Sequence, residues 1–504
     1  MKKRILAFIM SALLIVCTLI TLASCVSESP DDMPNDSDGI KDREWYDNLG
    51  EHDLDGYTVK FAVAETSRDG FHKRSIEAAE DTGDAVDAAI FARNKAIEAR
   101  FNCVIKLAYY TDTDNLSTAL SSVFMSGGEE FDVIAARQWD DISLCSKGYV
   151  LNLAKNEYAS KYLEWQDNEF PYWGEDYING MSYKGQVYWL AGDLCLRYTG
   201  GFYCTFVNAA IYEEVLKETE GSIYDVVRNK KWTIDKMRAF SDAATTVENA
   251  TITDLVGSEG IVGIAMPIHD NTNGWAVAAG VNFSEQNKDG SVNFTFNQKN
   301  ATLESFYSKY MQLIGSKGVL TGFGGDYASA FKAFVSDNAL MVPGRLNQAE
   351  LYLREMTSPY YIVPCPLLDE NQANYRSNVH DGINLYGIST GCQNVEATAI
   401  VLEAMCAESY RSVRPRYYED ALKFKYTTDL DSAEMIDILS ENAYIDFALV
   451  WAFTTYFKGL GNYLRENMKN GVTSITSMLK KQTSVWSKGI ENLDEMFMKL
   501  DSLQ

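Results

Sequence analysis

The 504-residue chain is short of histidine, of basic clusters and of recognisable catalytic motifs. Its four histidines, His52, His72, His269 and His380, are too scattered to suggest a metal site, and no metal is predicted. No Cys-x-x-Cys pair is present. Lysine and arginine number 45 against 70 acidic residues, a net charge of −25 that becomes −28 once the three cations of residues 1–24 are removed. An acidic chain without basic patches argues against nucleic acid and anionic lipid surfaces as partners and reads as a solvated acidic surface. There is no Gly-x-Ser-x-Gly, no phosphate-binding P-loop, no His-Glu-x-x-His and no strand-linked Gly-x-Gly-x-x-Gly. Carboxylate pairs such as Asp31-Asp32 and Asp140-Asp141 are expected in so acidic a chain and read as solvated rather than as a glycosidase pair. No catalytic residue and no cofactor is predicted.

Long apolar runs are lacking as well, with one exception. Residues from Ile5 to Ser27 carry no charge and lie between Lys2-Lys3-Arg4 and Glu28. That run can cross a bilayer, which takes about 20 apolar residues, so it is either a membrane anchor or a removable leader. Beyond it, charges interrupt every candidate span. Seven cysteines follow the leader, at 103, 145, 195, 204, 365, 392 and 406, an odd number without repeated spacing. Their apolar surroundings predict buried free thiols rather than a disulfide framework.

A chain of this length exceeds the roughly 250–300 residues at which one core stops growing, so two lobes are expected. Residues 26–44, rich in Ser, Asp, Pro and Asn, cannot build a core and read as a flexible tether. Alternation from Tyr57 to Ala64 predicts a strand. Val86, Ala89, Ile90, Ile97 and Phe101 recur at helical spacing behind Asp84, a predicted N-cap. "NCVIKLAYY" predicts a second strand, "NLSTALSSVFMS" a helix, and Phe131 to Ala136 a third, buried strand. Strand, helix, strand, helix, strand is the signature of a parallel sheet with crossover helices. Further strands are predicted in "QVYWLAG", "GFYCTFVN", "NALMVPG", "YYIVPCPL" and "GINLYGIS". A helix capped by Thr233 is predicted to turn Ile234, Met237 and Phe240 one way. Another, amphipathic, helix runs through Val395, Ala399, Leu402 and Met405, and the chain is mainly helical from about 409.

In open α/β sheets, ligands bind in the loops beyond the carboxyl ends of strands. "DVIAARQWDD" presents Arg137, Gln138, Trp139 and Asp140 there. "YWLAGDL" presents Asp193, "HDNTNGWAVAAG" presents Asn273 and Trp275, and "MVPGRLNQ" presents Arg345. Aromatic faces stack on the apolar faces of sugar rings, while carboxylates, amides and guanidinium groups bond hydroxyls, a mixture suited to a neutral polar ligand in a cleft.

Five stretches in order resemble the extracellular solute-binding lipoproteins of ABC importers, in the large carbohydrate-binding group that includes maltose-binding protein. They are "RNKAIEARFNCVIKL", "SGGEEFDVIAARQWDDISLCSKGYVLNL", "KGQVYWLAGDLCLRYTGGFYCTFVNAAIYEE", "KKWTIDKMRAF" and "FKAFVSDNALMVPGRL" with its sequel "YIVPCPLLDENQANYRS". Together they span about residues 55–410 in the order that family shows. The chain departs from the pattern at Ala209, where the family has lysine, and in its long C-terminal helices.

The resemblance implies an α/β, two-lobed periplasmic-binding-protein type II fold with a ligand cleft between lobes that close by a hinge. Lobe 1 would comprise 55–190 and 367–408, and lobe 2 191–366 and 409–504, with crossovers near 189–193, 365–369 and 407–411. On that assignment Trp139, His380 and Asp381 line one face; Trp275, Asp326, Tyr327 and Arg345 line the other; Asp193 sits at the hinge. The implied role is non-enzymatic: a monomer that captures a carbohydrate, an oligosaccharide, for ABC transporter permease subunits. The alternatives are a surface-anchored glycan-active enzyme and a receptor for a peptide or another solute.

The first residues then take on meaning. A cationic start, an apolar core and small residues before a cysteine make a signal peptide. Leu22-Ala23-Ser24-Cys25 resembles a lipobox, whereas Cys17 follows bulky Ile15 and Val16. Residues 1–24 are predicted to be removed, Cys25 to be lipidated, and residues 25–54 to tether the protein to the outer face of the cell membrane.

Overall fold

The structure is a computed structural model that describes residues 45–65, 71–80, 82–127, 130–166, 171–248, 250–321, 327–418 and 430–502. The predicted leader, Cys25 and the tether up to residue 44 lie outside the described residues. Residues 47–504 form one compact unit.

Two sheets organise that unit. The first contains β1 (Tyr57–Glu65), β2 (Cys103–Asp112) and β3 (Val133–Arg137), with β1 parallel to both others, as the strand-helix-strand pattern predicts. Between β1 and β2 runs the Ala85–Phe101 helix, whose first amides are capped by the Asp84 carboxylate and whose Val86, Ile90, Ile97 and Phe101 are buried. The second sheet is built from β4 (Tyr203–Asn208), β5 (Val262–Ala265), β8 (Val319–Leu320), β9 (Ala339–Arg345) and β10 (Tyr360–Pro364), in the order β10-β4-β9-β5-β8. Here β4 is antiparallel to both neighbours, while β5 is parallel to β9 and β8. A small hairpin of β6 (Ser284–Gln286) and β7 (Val292–Phe294) stands apart from both sheets.

The chain then returns to the first sheet. Strand β11 (Asn384–Ile388) pairs antiparallel with β3, Asn384 opposite Arg137 and Ile388 opposite Val133. Every residue of β3 and β11 is buried, as near-continuous apolar strands covered on both faces must be. This register brings the residues just before β11 beside those just after β3, which is what builds the site.

Two expectations need correction. "QVYWLAG" is not a strand: Leu190 makes a single antiparallel bridge to Tyr386, and Gly192 another to Trp173. Tyr172 and Trp173 take the neighbouring backbone groups, with the amide of Asp193 donating to Tyr172 and that of Gly174 to Ala191, so no ladder propagates. The Val395–Glu408 helix is not amphipathic, since every residue from Ala397 to Glu408 is buried. It lies among β1, the Ala85–Phe101 helix and the short Ala159–Tyr162 helix, and a helix enclosed on all sides shows no polar face. The Ile234–Ala244 helix does carry Thr233 as its N-cap and buries Ile234, Met237 and Phe240. The seven cysteines among the described residues are free thiols, six of them buried.

The last long helix, Ile475–Asp501, buries Leu479, Trp486, Leu493, Phe497 and Leu500 at helical spacing. It packs against β7 and the Thr455–Phe457 turn, and also against the Ile142–Lys147 turn. Tyr183 stacks on Phe497, and Lys184 pairs with Asp494. Among the described residues no helix is long and apolar enough to cross a membrane.

Candidate functional site

Strand β3 ends at Arg137, and the chain turns at once into the short Gln138–Asp141 helix. The amides of Gln138 and Trp139 donate to the carbonyls of Ile383 and Asp381, at 3.0 and 3.1 Å. The two predicted stretches, 137–139 and 380–381, are thereby fastened side by side. From the second sheet, the amide of Tyr203, first residue of β4, donates to the carbonyl of Asn378, and that of His380 donates to the carbonyl of Gly201. The segment 378–381 thus touches both sheets.

A cavity of about 130 Å³ lies at this junction. Gln138, Trp139, His380 and Asp381 line it from the first sheet's side, and Tyr203, Thr272 and Asn273 from the second's. The C-terminal region closes it with Ile445, Leu449, Phe453, Gly461, Asn462 and Arg465. Four primary amides, from Gln138, Asn273, Asn378 and Asn462, face it together with Asp381 and Arg465. Its volume falls below the roughly 300–1,000 Å³ of ordinary small-molecule sites.

Packing fixes several of these groups. The Trp139 indole is 38% exposed, with the Arg137 guanidinium 4.7 Å from its ring centre and the Phe453 ring at 5.2 Å. The Tyr203 ring lies on Gly274, where an added Cβ would come within 2.6 Å of it. The Asn273 amide donates to the Gly461 carbonyl at 2.7 Å. Tyr177 donates its hydroxyl to the Gln138 carbonyl oxygen, and burial pushes that phenol well above its usual range, so it remains a donor. The amide of Gly382 donates to Nδ1 of His380 at 2.8 Å, and the Asp381 carboxylate lies 3.5 Å from the same nitrogen.

Of the residues singled out from the sequence, Gln138, Trp139, Asn273, His380 and Asp381 meet at this cavity. Arg137 is buried behind Trp139 and reaches it through the indole. Trp275 is only 2% exposed and packs edge-on against Tyr310, one helical turn along from the cavity wall. Tyr327 is buried, with the Arg345 guanidinium 5.1 Å over its ring, and neither lines the cavity. Asp326 lies outside the described residues. Asp193 is buried and faces Arg414 at 3.3 Å.

Sequence reasoning missed Tyr203, Asn378, Phe453, Asn462 and Arg465. Tyr203 opens β4 and Asn378 precedes β11, so both stand at amino ends of strands, which the strand-end rule does not search. Phe453, Asn462 and Arg465 come from turns and short helices whose sequence carries no strand-end signal. Among the described residues no group of three or more His, Cys, Asp or Glu side chains could hold a metal ion.

No family model and no curated protein matches the sequence. Solved structures do match its fold. A cyclo/maltodextrin-binding protein complexed with maltotetraose is similar at 9% identity with a TM-score of 0.54, covering 86% of this chain and 97% of that one. An ABC substrate-binding protein from Listeria monocytogenes in complex with cycloalternan is similar at 12% identity and a TM-score of 0.52, covering 88% and 99%. An ABC transporter solute-binding protein from Thermotoga lettingae bound with α-D-tagatose gives 12% identity and a TM-score of 0.51, covering 86% and 100%. At such identities the likeness is one of fold: the chain has the two-lobed α/β type II architecture of the sugar-binding proteins of ABC importers.

Proposed function

We propose that this protein is a non-enzymatic receptor that captures a neutral carbohydrate in the cleft between its sheets and hands it to the permease subunits of an ABC importer. The observation that carries the reading is the lining of the cleft: Trp139, Tyr203 and Phe453 with four amides, one carboxylate and one guanidinium. Aromatic surface beside many hydrogen-bonding groups of little net charge suits a polyol better than an ion or a peptide. The three similar structures, by their descriptions, hold maltotetraose, cycloalternan and tagatose.

The enzyme alternative needs two facing carboxylates. Among the described lining residues Asp381 is the sole carboxylate, which favours binding without turnover. In the same reading the lobes are 55–190 with 367–408 and 191–366 with 409–504, hinged near Asp193. The leader 1–24 is removed, and lipidated Cys25 with its acidic tether holds the monomer at the outer membrane face. A thermal-shift screen of the purified protein against neutral mono- and oligosaccharides tests the proposal. Stabilisation by at least one glycan, with no product released on long incubation, supports it; no shift with any glycan refutes it, and turnover restores the enzyme alternative.

A further inference from the structure

The last helix, Ile475–Asp501, is held in its two halves by different parts of the molecule. In the first half, Trp486 lies 5.8 Å from the Phe294 ring and edge-on to Tyr463 at 4.8 Å, and its indole N–H donates to the Lys458 carbonyl at 3.3 Å. The Ala301–Ile314 helix packs against both this helix and β8 of the second sheet. The second half meets other partners. Asp494 accepts from the Tyr183 hydroxyl at 2.7 Å and from the Lys184 ammonium at 2.6 Å, Phe497 stacks on Tyr183 with ring centres 4.8 Å apart, and Asp501 pairs with Lys155 at 2.6 Å. These partners are tied to the first sheet. Leu190 bridges Tyr386 of β11, the Leu151 amide donates to the Ile388 carbonyl at 2.9 Å, and the Leu153 amide donates to the Val187 carbonyl at 2.7 Å.

The β6–β7 hairpin grips the same turn. The Lys184 amide donates to the Gly290 carbonyl at 3.0 Å, and the Gln286 side-chain amide donates to the Ser182 carbonyl at 3.1 Å. Gly290 has φ +76°, and a Cβ there would fall 2.9 Å from the Lys184 Cα, so glycine is what permits this approach. The hairpin is fixed in turn to the C-terminal region, where the Asp446 carboxylate accepts from the amides of Phe283 and Ser284 at 2.7 and 2.9 Å. Beside Asp446, Phe447 lies 5.7 Å from the Tyr183 ring, and Ile445, which lines the cavity, rests on Gly180. The grip on Tyr183 and Lys184 therefore adjoins the cavity wall.

We infer that the second half of the last helix and the β6–β7 hairpin form a latch on the Tyr183–Lys184 turn, and that this latch must part before the cleft can open. It uses the long C-terminal helix by which the chain departs from the sequence pattern it resembles. Both ion pairs are partly exposed and hold weakly, so the Tyr183–Phe497 stack and the twofold grip on Asp494 give the latch its strength. The inference rests on the two-lobed reading and needs no particular ligand. Its test is small-angle X-ray scattering of the full protein without sugar, with circular dichroism as a check on folding. Asp494→Ala removes the partner of both Tyr183 and Lys184 from a partly exposed position and should raise the radius of gyration above that of the wild type. Phe497→Ala should raise it further, and Asp494→Ala keeps the test sound should Phe497→Ala melt early. Folded variants with the wild-type radius overturn the latch. Neither outcome bears on whether the cleft holds a carbohydrate, which the glycan screen decides separately.

Discussion

The indole of Trp139 and the ring of Phe453 lie 5.2 Å apart at an interplanar angle of 46°, one carried by the end of β3 and the other by the C-terminal region. Trp139 is the tryptophan at the cleft, whereas Trp275 is enclosed in the core. A bound sugar therefore alters the surroundings of Trp139 and not of Trp275. We predict that Trp275→Phe keeps the ligand-induced change in intrinsic fluorescence. Loss of that change in Trp275→Phe, with binding intact by calorimetry, would assign the signal to the wrong indole.

Arg74 joins the segment after β1 to the segment after β9. Its guanidinium meets Asp84, Asp87 and, at 3.3 Å, Glu350. Burial raises the Glu350 carboxyl above its ordinary range even with Arg74 beside it, so this carboxylate is poorly solvated. Arg74→Met leaves Asp84 and Asp87 without their shared cation and Glu350 with Arg354 alone, at 3.1 Å, and should cost about 2–4 kcal/mol. Glu350→Gln leaves Arg74 two partners and should cost below about 1 kcal/mol. Urea denaturation distinguishes them; equal losses would mean that Glu350 alone matters.

Glu403, buried within the Val395–Glu408 helix, accepts from the Tyr172 hydroxyl at 2.5 Å, the Trp173 indole at 2.7 Å and the Glu164 amide at 3.1 Å. Burial pushes its carboxyl up to about 8, against these three bonds, which favour the ionised form. A carboxyl raised on folding stabilises the protein most below its unfolded pKa, and that contribution is lost as pH rises through the folded value. Stability should fall between about pH 4.5 and pH 8 through this group. Glu403→Gln should flatten the melting temperature across that window, and an undiminished slope in the variant would exclude Glu403 as its source.

The proposed anchor depends on one thiol. Cys25→Ser should release the protein into the medium or leave it with its leader attached. A fully processed and still membrane-bound variant would rule out lipidation at Cys25.

The strands and the site differ in how far the sequence reveals them. Alternation marks β1, strongly apolar runs mark β3 and β11, and Asp84 and Thr233 mark helix starts, because local propensity and tertiary burial agree there. The strand-end rule points to Gln138 and Trp139, the family resemblance points to His380 and Asp381, and the antiparallel pairing of β3 with β11 brings the two stretches together. The rule misleads at Trp275, whose side chain turns into the core on the Ile268–Ala278 helix while Asn273 of the same helix lines the cavity. Helical rotation, invisible in a run of small residues, decides which of the two lines the cavity. Phe453 and Arg465 are set by how the C-terminal turns fold back over the cleft, a long-range packing outcome that no nearby residue encodes.

Capture of a sugar against Trp139 is most directly tested by calorimetric titration of the wild-type protein and Trp139→Ala with the best glycan from the screen. The wild type should saturate near micromolar, where binding is worth about −8 kcal/mol, and the variant should bind at least about tenfold more weakly. Equal affinities for the two proteins would contradict a carbohydrate site in this cleft.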